Sequence, residues 1–384
     1  MHFRLGRLAV LLVLIHSAAA QDHAPAQDHA AQLQTAFDRA ARLKRGINAS
    51  IWFAQSPGDY SAARTNRYID AGDIALIARL GFDNVRLSID AVPLGSGKLG
   101  ADGLAADFLE RLDRAVDTML ADGLAVQIDL HPEVSYKQQI ETSNAAVDRL
   151  TTLWRRLAAH YATRDPEKIF FEILNEPGLN DKYRWAGIQA RLATAIRKAA
   201  PRQTIIAAGA GGSGIVDLLG VTPLSDGNVI YNFHFYEPTQ FTHQGAGWGP
   251  MWWTYTHGIP YPASESSMRE LTRLVPDADD RSELERYWLD HWDAHHIRLL
   301  IDEASAWAHE NNVPLICNEF GVFREVPDPG SRANWIHDVR TALEADGIGW
   351  AMWDYRDNFG LVFKEDGRPA RVDDRIVEAL GLKK

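Results

Sequence analysis

From residue 45 onward, short β-prone apolar runs alternate with longer stretches whose apolar residues recur at three- and four-residue spacing. The first pattern marks strands buried on both faces, and the second marks helices with one buried stripe. Strands are predicted at 45–49, 84–89 and 124–130, from 168 to the step Asn175-Glu176-Pro177, and at 204–208, 229–235, 313–318 and 348–353. Helices are predicted at 68–80, 107–121, 145–162, 184–199, 283–310 and 332–344, with a short one at 375–380. In 107–121, Phe108, Leu112, Ala115 and Met119 share one face. Strands alternating with amphipathic helices imply a parallel sheet with right-handed crossovers. Eight such units fit a closed (β/α)8 TIM barrel better than a doubly wound sheet. The expected fold class is therefore α/β, with one barrel domain at 34–384 and a long insertion after strand 6 at about 237–281.

The stretch ahead of the barrel has a different pattern. Arg4 and Arg7 precede an apolar core at 8–15, and Ala18-Ala19-Ala20 offers a small-residue cleavage site. Such a segment reads as a cleavable signal peptide at 1–20, too short to span a bilayer of about 30 Å. Export, to the periplasm or the medium, and no membrane anchor are the expectation. Residues 21–33, with Gln-Asp-His-Ala twice over, read as a flexible linker. Helical spacing at Leu33, Phe37, Ala40 and Leu43 suggests a helix capping the start of the domain.

Composition narrows the function. Losing Arg4 and Arg7 with the signal takes the net charge from −11 to −13. That balance disfavours nucleic acid and anionic membrane, both of which require basic patches. The single Cys317 permits no intramolecular disulfide, so an exported chain must rely on its core. Twelve Trp with 14 Phe and 11 Tyr suit a large core or flat stacking platforms for a ligand. A monomer is expected.

In barrels of this kind chemistry gathers at the C-terminal strand ends. There the sequence places Arg86, Asp129 and His131, Asn175 and Glu176, His234 and Tyr236, Asn318 and Glu319, then Trp353 and Asp354. One polar strand end is unremarkable, but six on the same face argue for a site. Glu176 and Glu319 come from strands 4 and 7, across the ring from each other. Paired carboxylates over a cleft are what glycosidic bond cleavage requires, one protonated and one ionised. Arg86 can keep one of them ionised, and Tyr236 can donate a hydrogen bond to it.

These residues resemble glycoside hydrolase family 5, the cellulase family of clan A. Ile173-Leu174-Asn175-Glu176-Pro177 matches the family's acid motif, and Arg86, His131, Asn175, Glu176, His234, Tyr236, Glu319 and Trp353 fill its recurring set in order. The resemblance covers about residues 40–380. It implies a retaining mechanism with Glu176 as acid/base and Glu319 as nucleophile. It further implies that Asn175 holds the 2-hydroxyl, Arg86 and Tyr236 orient Glu319, His131 and His234 bind hydroxyls or polarise the carboxylates, and Trp353 floors the sugar. Asn232 to Pro238, continuing through Phe241-Thr242-His243-Gln244, is similar to bacterial endoglucanases. The expected activity is an endo-β-1,4-glucanase for soluble or amorphous β-glucan, with no metal and no cofactor. Alternatives are a β-mannanase or a mixed-linkage or β-1,3-glucanase of the same family, and a barrel that binds carbohydrate without cleaving it.

Three other motifs compete for attention. Gly209-Ala210-Gly211-Gly212-Ser213-Gly214 matches a dinucleotide fingerprint, but the apolar run at 215–219 is too short for the helix that would face a pyrophosphate. His291, His295 and His296 fall on the predicted helix 283–310 without a third zinc ligand. Cys317 reads as a small buried hydrophobe. Among the loop aromatics, Trp52 and Trp248 are the candidates for sugar platforms. Trp253, Tyr255 and Tyr261 are expected mainly to pack the insertion on the barrel.

Overall fold

The computed structural model describes residues 23–383 apart from 57 and 276. Its barrel strands are β1 (Arg45–Phe53), β2 (Asn84–Ile89), β3 (Ala125–Leu130), β4 (Ile169–Glu172), β5 (Thr204–Ala207), β6 (Val229–Phe235), β7 (Leu315–Phe320) and β8 (Gly349–Met352). They pair in parallel in chain order, and β8 closes onto β1. Helices such as Ala106–Ala121, Asn144–Tyr161 and Lys182–Ala199 return the chain between strands, so the fold is the expected (β/α)8 barrel. The fifth return is a single turn and a half, Ile215–Leu219.

Alternation along each strand builds two cores and a polar shaft. Outward residues of β3, Val126, Ile128 and Leu130, join the large cluster shared with the helices. Inward residues at the base, Ala125, Phe170, Ile206, Ile230 and Ile316, form a separate plug with Leu43. Two residues further along the same inward face come Glu172 above Phe170, Asn232 above Ile230 and Asn318 above Ile316. These three lie buried with Asn48, Arg86 and Asp129. Buried ions at this depth are tolerable only when paired and hydrogen-bonded, since desolvation costs several kcal/mol each. The barrel has an apolar plug at its base and is increasingly polar toward the strand C-termini.

Several expectations change. The stretch expected as a linker carries a helix, His23–Ala40, beginning ten residues before the linker was expected to end. Ala and Gln are good helix formers, and side-chain bonds Gln32 Nε2 to Asp28 (3.3 Å) and Gln34 Nε2 to Asp38 (2.9 Å) brace its turns. Its Arg39 caps the barrel base through Glu167 (2.9 Å) and Thr204 Oγ1 (2.9 Å). The expected signal peptide lies outside the described residues. The predicted helix 283–310 is two helices, Ala278–Leu289 and Ala294–Asn311. Asp293 caps the second by accepting from His295 N (2.9 Å) and His296 N (3.0 Å), and His291 turns the chain at φ 51°. His291 and His295 therefore share no helix face.

The insertion after β6 is packed onto the barrel. It holds Thr239–Thr242, a 3-10 turn Met251–Tyr255 and the helix Glu265–Leu274. Gln244 is buried and exchanges hydrogen bonds with the Ile259 backbone, both at 2.9 Å. Tyr261, also buried, donates to Asp338 on the helix Pro329–Ala345 at 2.8 Å. No helix among the described residues is long and apolar enough to cross a membrane.

Candidate active site

Arg86 is the hub of the polar shaft. From the middle of β2 it points inward and is fully buried. It grips Glu172 with Nε and Nη2, both at 2.7 Å, and meets Asp129 at 3.0 Å. Nη1 donates to Glu319 and to Asn48 Oδ1, and Nη2 donates to Asn175 Oδ1 at 2.9 Å. Burial opposes the guanidinium charge, but Asp129, Glu172 and Glu319 outweigh it and raise its pKa further. Asn232 and Asn318 complete Glu172 at 3.0 and 2.7 Å. Burial still pushes the Glu172 and Asp129 carboxyls up, against the pull of Arg86.

The two candidate carboxylates reach the cleft differently. Glu319 lies in β7 with its side chain 5% exposed, bound by Arg86 on one oxygen and by Tyr236 Oη on the other at 2.9 Å. Burial and the charge of Glu319 drive the Tyr236 phenol well above its ordinary pKa, so it remains a donor. Beyond β4, Asn175 N is tied to Leu130 O (2.8 Å), and Gly178 N to Gly211 O (3.0 Å). Between these ties Glu176 adopts φ 37°, which costs a side-chain-bearing residue about 1–3 kcal/mol. That turn leaves its carboxylate 38% exposed, facing the cleft rather than the shaft.

His234 lies between the two carboxylates. Its Nδ1 is 3.1 Å from Glu176 Oε1 and 3.5 Å from Glu319 Oε2. One oxygen of each carboxylate and a nitrogen of His234 all lie within 4.8 Å of one another. Among the described residues this is also the one trio that could ligate a metal ion, although Arg86 and Tyr236 already engage both oxygens of Glu319. Burial opposes the imidazolium, yet Glu319 and Glu176 raise the His234 pKa. Burial likewise works to raise Glu176, but the hydrogen bond and charge of His234, then Lys137 and His131, pull it down to about 2. Both shifts favour the shared proton on His234. His131 behaves oppositely: burial lowers it to about 3 and keeps it neutral. With Nδ1 against Asp129 (3.0 Å), its Nε2 accepts from Asn175 Nδ2 at 2.9 Å.

Above these groups opens a cleft of about 560 Å³. Its floor is Trp353, stacked on His131 with ring centroids 5.6 Å apart. One wall comes from the β3 loop, with Glu133, Val134 and Lys137. The other is aromatic, with Trp248 and Trp253 from the insertion and Phe359 after β8. Trp248 is 55% exposed and meets Phe323 edge-on at 5.4 Å, so its position suits a platform. Trp52 does not suit one. It is 4% exposed, packs on Phe53 and donates Nε1–H to Thr65 O at 2.7 Å, because the expected loop there is the end of β1. In the glycine loop a Cβ on Gly209 would lie 2.5 Å from the Asp217 backbone and one on Gly211 2.6 Å from the Asp217 carboxylate, so these two glycines allow close packing on the turn that follows. Ser213 O in that loop accepts from His234 N at 2.7 Å and helps set the histidine.

The structure brings Arg86, His131, Asn175, Glu176, His234, Tyr236, Glu319 and Trp353 together at one end of the barrel. Sequence reasoning missed Glu172, Lys137 and the cleft-lining His243, whose pKa burial lowers to about 4. Glu172 was detectable as a charge inside an apolar strand. Lys137 carries no comparable signal, and His243 is marked only by the endoglucanase-like run 241–244.

Known proteins resemble this chain over most of its length. The family model described as Cellulase (glycosyl hydrolase family 5) matches residues 49–359. Endoglucanase C of Acetivibrio thermocellus is 29% identical over 348 residues, covering 89% of this chain and 99% of that protein. Thermotoga maritima Cel5A, solved with cellobiose, is similar with a TM-score of 0.71 and 26% identity, over 90% of this chain and 99% of that one. Its structure with mannotriose gives 0.70 and 26%, with the same coverage.

Proposed function

Because the chain belongs to glycoside hydrolase family 5, we propose that it is a retaining endo-β-1,4-glucanase acting on soluble or amorphous β-glucan. The observation that carries this reading is the closeness of the two carboxylates, which bring one oxygen each within 4.8 Å of the other. Retaining glycosidases hold their pair about 5–5.5 Å apart, whereas inverting enzymes need about 6.5–9.5 Å to seat a water. Glu319, oriented by Arg86 and Tyr236, attacks the anomeric carbon. Glu176 gives its proton to the departing glycosidic oxygen as that bond breaks, leaving a glycosyl ester on Glu319. Glu176, now a carboxylate, takes a proton from water, whose oxygen attacks the same carbon and releases Glu319. Two inversions give net retention.

Before the first step, the proton shared by His234 and Glu176 moves onto Glu176 across their hydrogen bond. Asn175 is oriented by Arg86 and His131 to meet the 2-hydroxyl, where contacts strengthen in the transition state. Trp353 supports the sugar at the cleavage point and Trp248 a further one. A barrel that merely binds sugar has no need of two converging carboxylates wired in this way. One observation favours a second substrate, β-mannan: the similar Thermotoga maritima protein has been solved with mannotriose as well as cellobiose. The N-terminal pattern supports export.

The test is product sizing over time on carboxymethyl-cellulose, mannan and mixed-linkage glucan, with the anomer read early. Mid-chain cutting of cellulose with the β-anomer first is expected. An α-anomer first would overturn retention, and binding without release of reducing ends from any glycan would overturn the enzyme reading.

A further inference from the structure

Lys137 is the cationic residue of the β3-loop wall of the cleft, and the reaction sequence above leaves it unused. It lies on the helix Val134–Thr142, partly buried, and lines the same cleft as Glu176 and His131. That helix is fixed to the chain following Glu176. Glu141 Oε1 accepts from both Asn180 N and Nδ2 at 3.0 Å, and Arg184 Nη2 reaches Ile140 O at 2.9 Å. Lys137 is thus held by the same segment that positions Glu176, and among the carboxylates it faces, Glu176 pulls on it more than Asp129 or Glu319.

Each of those carboxylates has nearer partners. Glu176 takes His234, Glu319 takes Arg86 and Tyr236, and Asp129 takes Arg86 and His131. The ammonium itself makes no hydrogen bond and no ion pair within 4.0 Å among the described residues. It offers three donors and no acceptor. Substrate entering the cleft displaces the water that serves those donors, and donors left bare in a partly desolvated site are costly. A hydroxyl-rich sugar supplies oxygens in their place.

Resting on the glucanase reading, we propose that Lys137 is a substrate-binding residue that donates hydrogen bonds to oxygens of the sugar on the leaving-group side of the scissile bond. The acid must face the departing oxygen, so a group anchored beside Glu176 meets the departing sugar. Lys137 therefore selects for a sugar, rather than an aryl group, as the leaving moiety.

The test compares kcat/KM of the full chain and of Lys137→Met on cellopentaose, phenyl cellobioside and 2,4-dinitrophenyl cellobioside. A hydrogen bond to a charged group corresponds to about tenfold or more, so cellopentaose should lose at least about tenfold more than either aryl substrate. The two aryl losses should match, and Lys137→Arg should recover most of the cellopentaose loss. Losses that grow from dinitrophenyl to phenyl would mean Lys137 acts through Glu176 and would overturn the assignment. Equal loss on all three, or none on cellopentaose, would overturn it too. A wild-type chain inert on all three would instead overturn the glucanase reading on which the assignment rests.

Discussion

Asp354 follows Trp353 and is buried, with its carboxyl accepting from Ser50 Oγ and from Asp357 N at 3.2 and 3.3 Å. Burial pushes its pKa from 3.8 to about 7, with Asp357 adding repulsion, and Ser50, the Asp357 N–H and Arg324 only partly offsetting it. Tyr68 and Arg332 also feel its charge. A carboxyl raised in the folded state binds its proton more tightly there than when unfolded. Its contribution to stability is therefore whole below about pH 4 and is lost as pH rises to about 7, staying lost above that. At about 1.4 kcal/mol per pKa unit, the loss is about 4 kcal/mol. Asp354→Asn keeps the size and one acceptor but does not titrate, and giving up the second acceptor costs about 1 kcal/mol. The variant should be slightly less stable than wild type at pH 4 and about 3 kcal/mol more stable at pH 8. Urea unfolding of both chains from pH 4 to 8 measures the difference, and groups common to both, such as His234, cancel. Parallel pH curves, or a variant less stable at pH 8, would refute the reasoning.

Glu319→Ala should abolish turnover, and azide should restore part of it with inverted product; a retained azide product would contradict the nucleophile assignment. Glu176→Gln should slow phenyl cellobioside at least about a hundredfold more than 2,4-dinitrophenyl cellobioside, the span expected of general acid catalysis, and equal losses would remove Glu176 from that role. His234→Gln should move the alkaline limb of kcat/KM to lower pH, because wild type keeps the shared proton on an imidazole whose pKa its carboxylate neighbours raise. An unmoved limb would place the proton on Glu176 alone. Glu172→Gln leaves Arg86 short of one of its carboxylates, and breaking such a buried pair costs about 3–5 kcal/mol in urea unfolding; a loss under about 1 kcal/mol would show that Asp129 and Glu319 suffice.

Where local pattern and tertiary environment agree, the chain announces its elements. β6 occupies 229–235 as read, because an aromatic-rich run there is bounded by Gly227-Asn228 on one side and Glu237-Pro238 on the other. The helix Ala106–Ala121 falls within a residue of its apolar spacing. The break at 290–293 was lost because polar residues on an exposed helix face look the same whether or not the helix continues. Asp293 as a cap was the available clue. The first half of His23–Ala40 reads as linker because its sequence is polar, although Ala and Gln favour helix and the barrel base supplies the packing that Ala36 and Arg39 need.

The strand-end residues were legible for a topological reason: a barrel wound in chain order turns sequence order into position around a ring. Arg86 on β2 and Glu319 on β7 are 233 residues apart yet in contact, and no local pattern shows this. Closure of the ring supplies it. Glu172 is less legible because the polar step at 175–177 dominates the end of the fourth strand, although period-2 alternation puts Phe170 and Glu172 on the same inward face. A charge in a strand buried on both sides must find a partner, and Arg86 from β2 supplies it, reaching Glu172 and its β3 neighbour Asp129 alike. Trp52 and Trp248 mark where such reasoning stops. Both are tryptophans following strands in the reading, and neither neighbourhood distinguishes them. Extension of β1 to Phe53 puts Trp52 under the helix Ala62–Tyr68, while the packed insertion lifts Trp248 into the cleft. Exposure of an aromatic is set by what the rest of the chain lays over it.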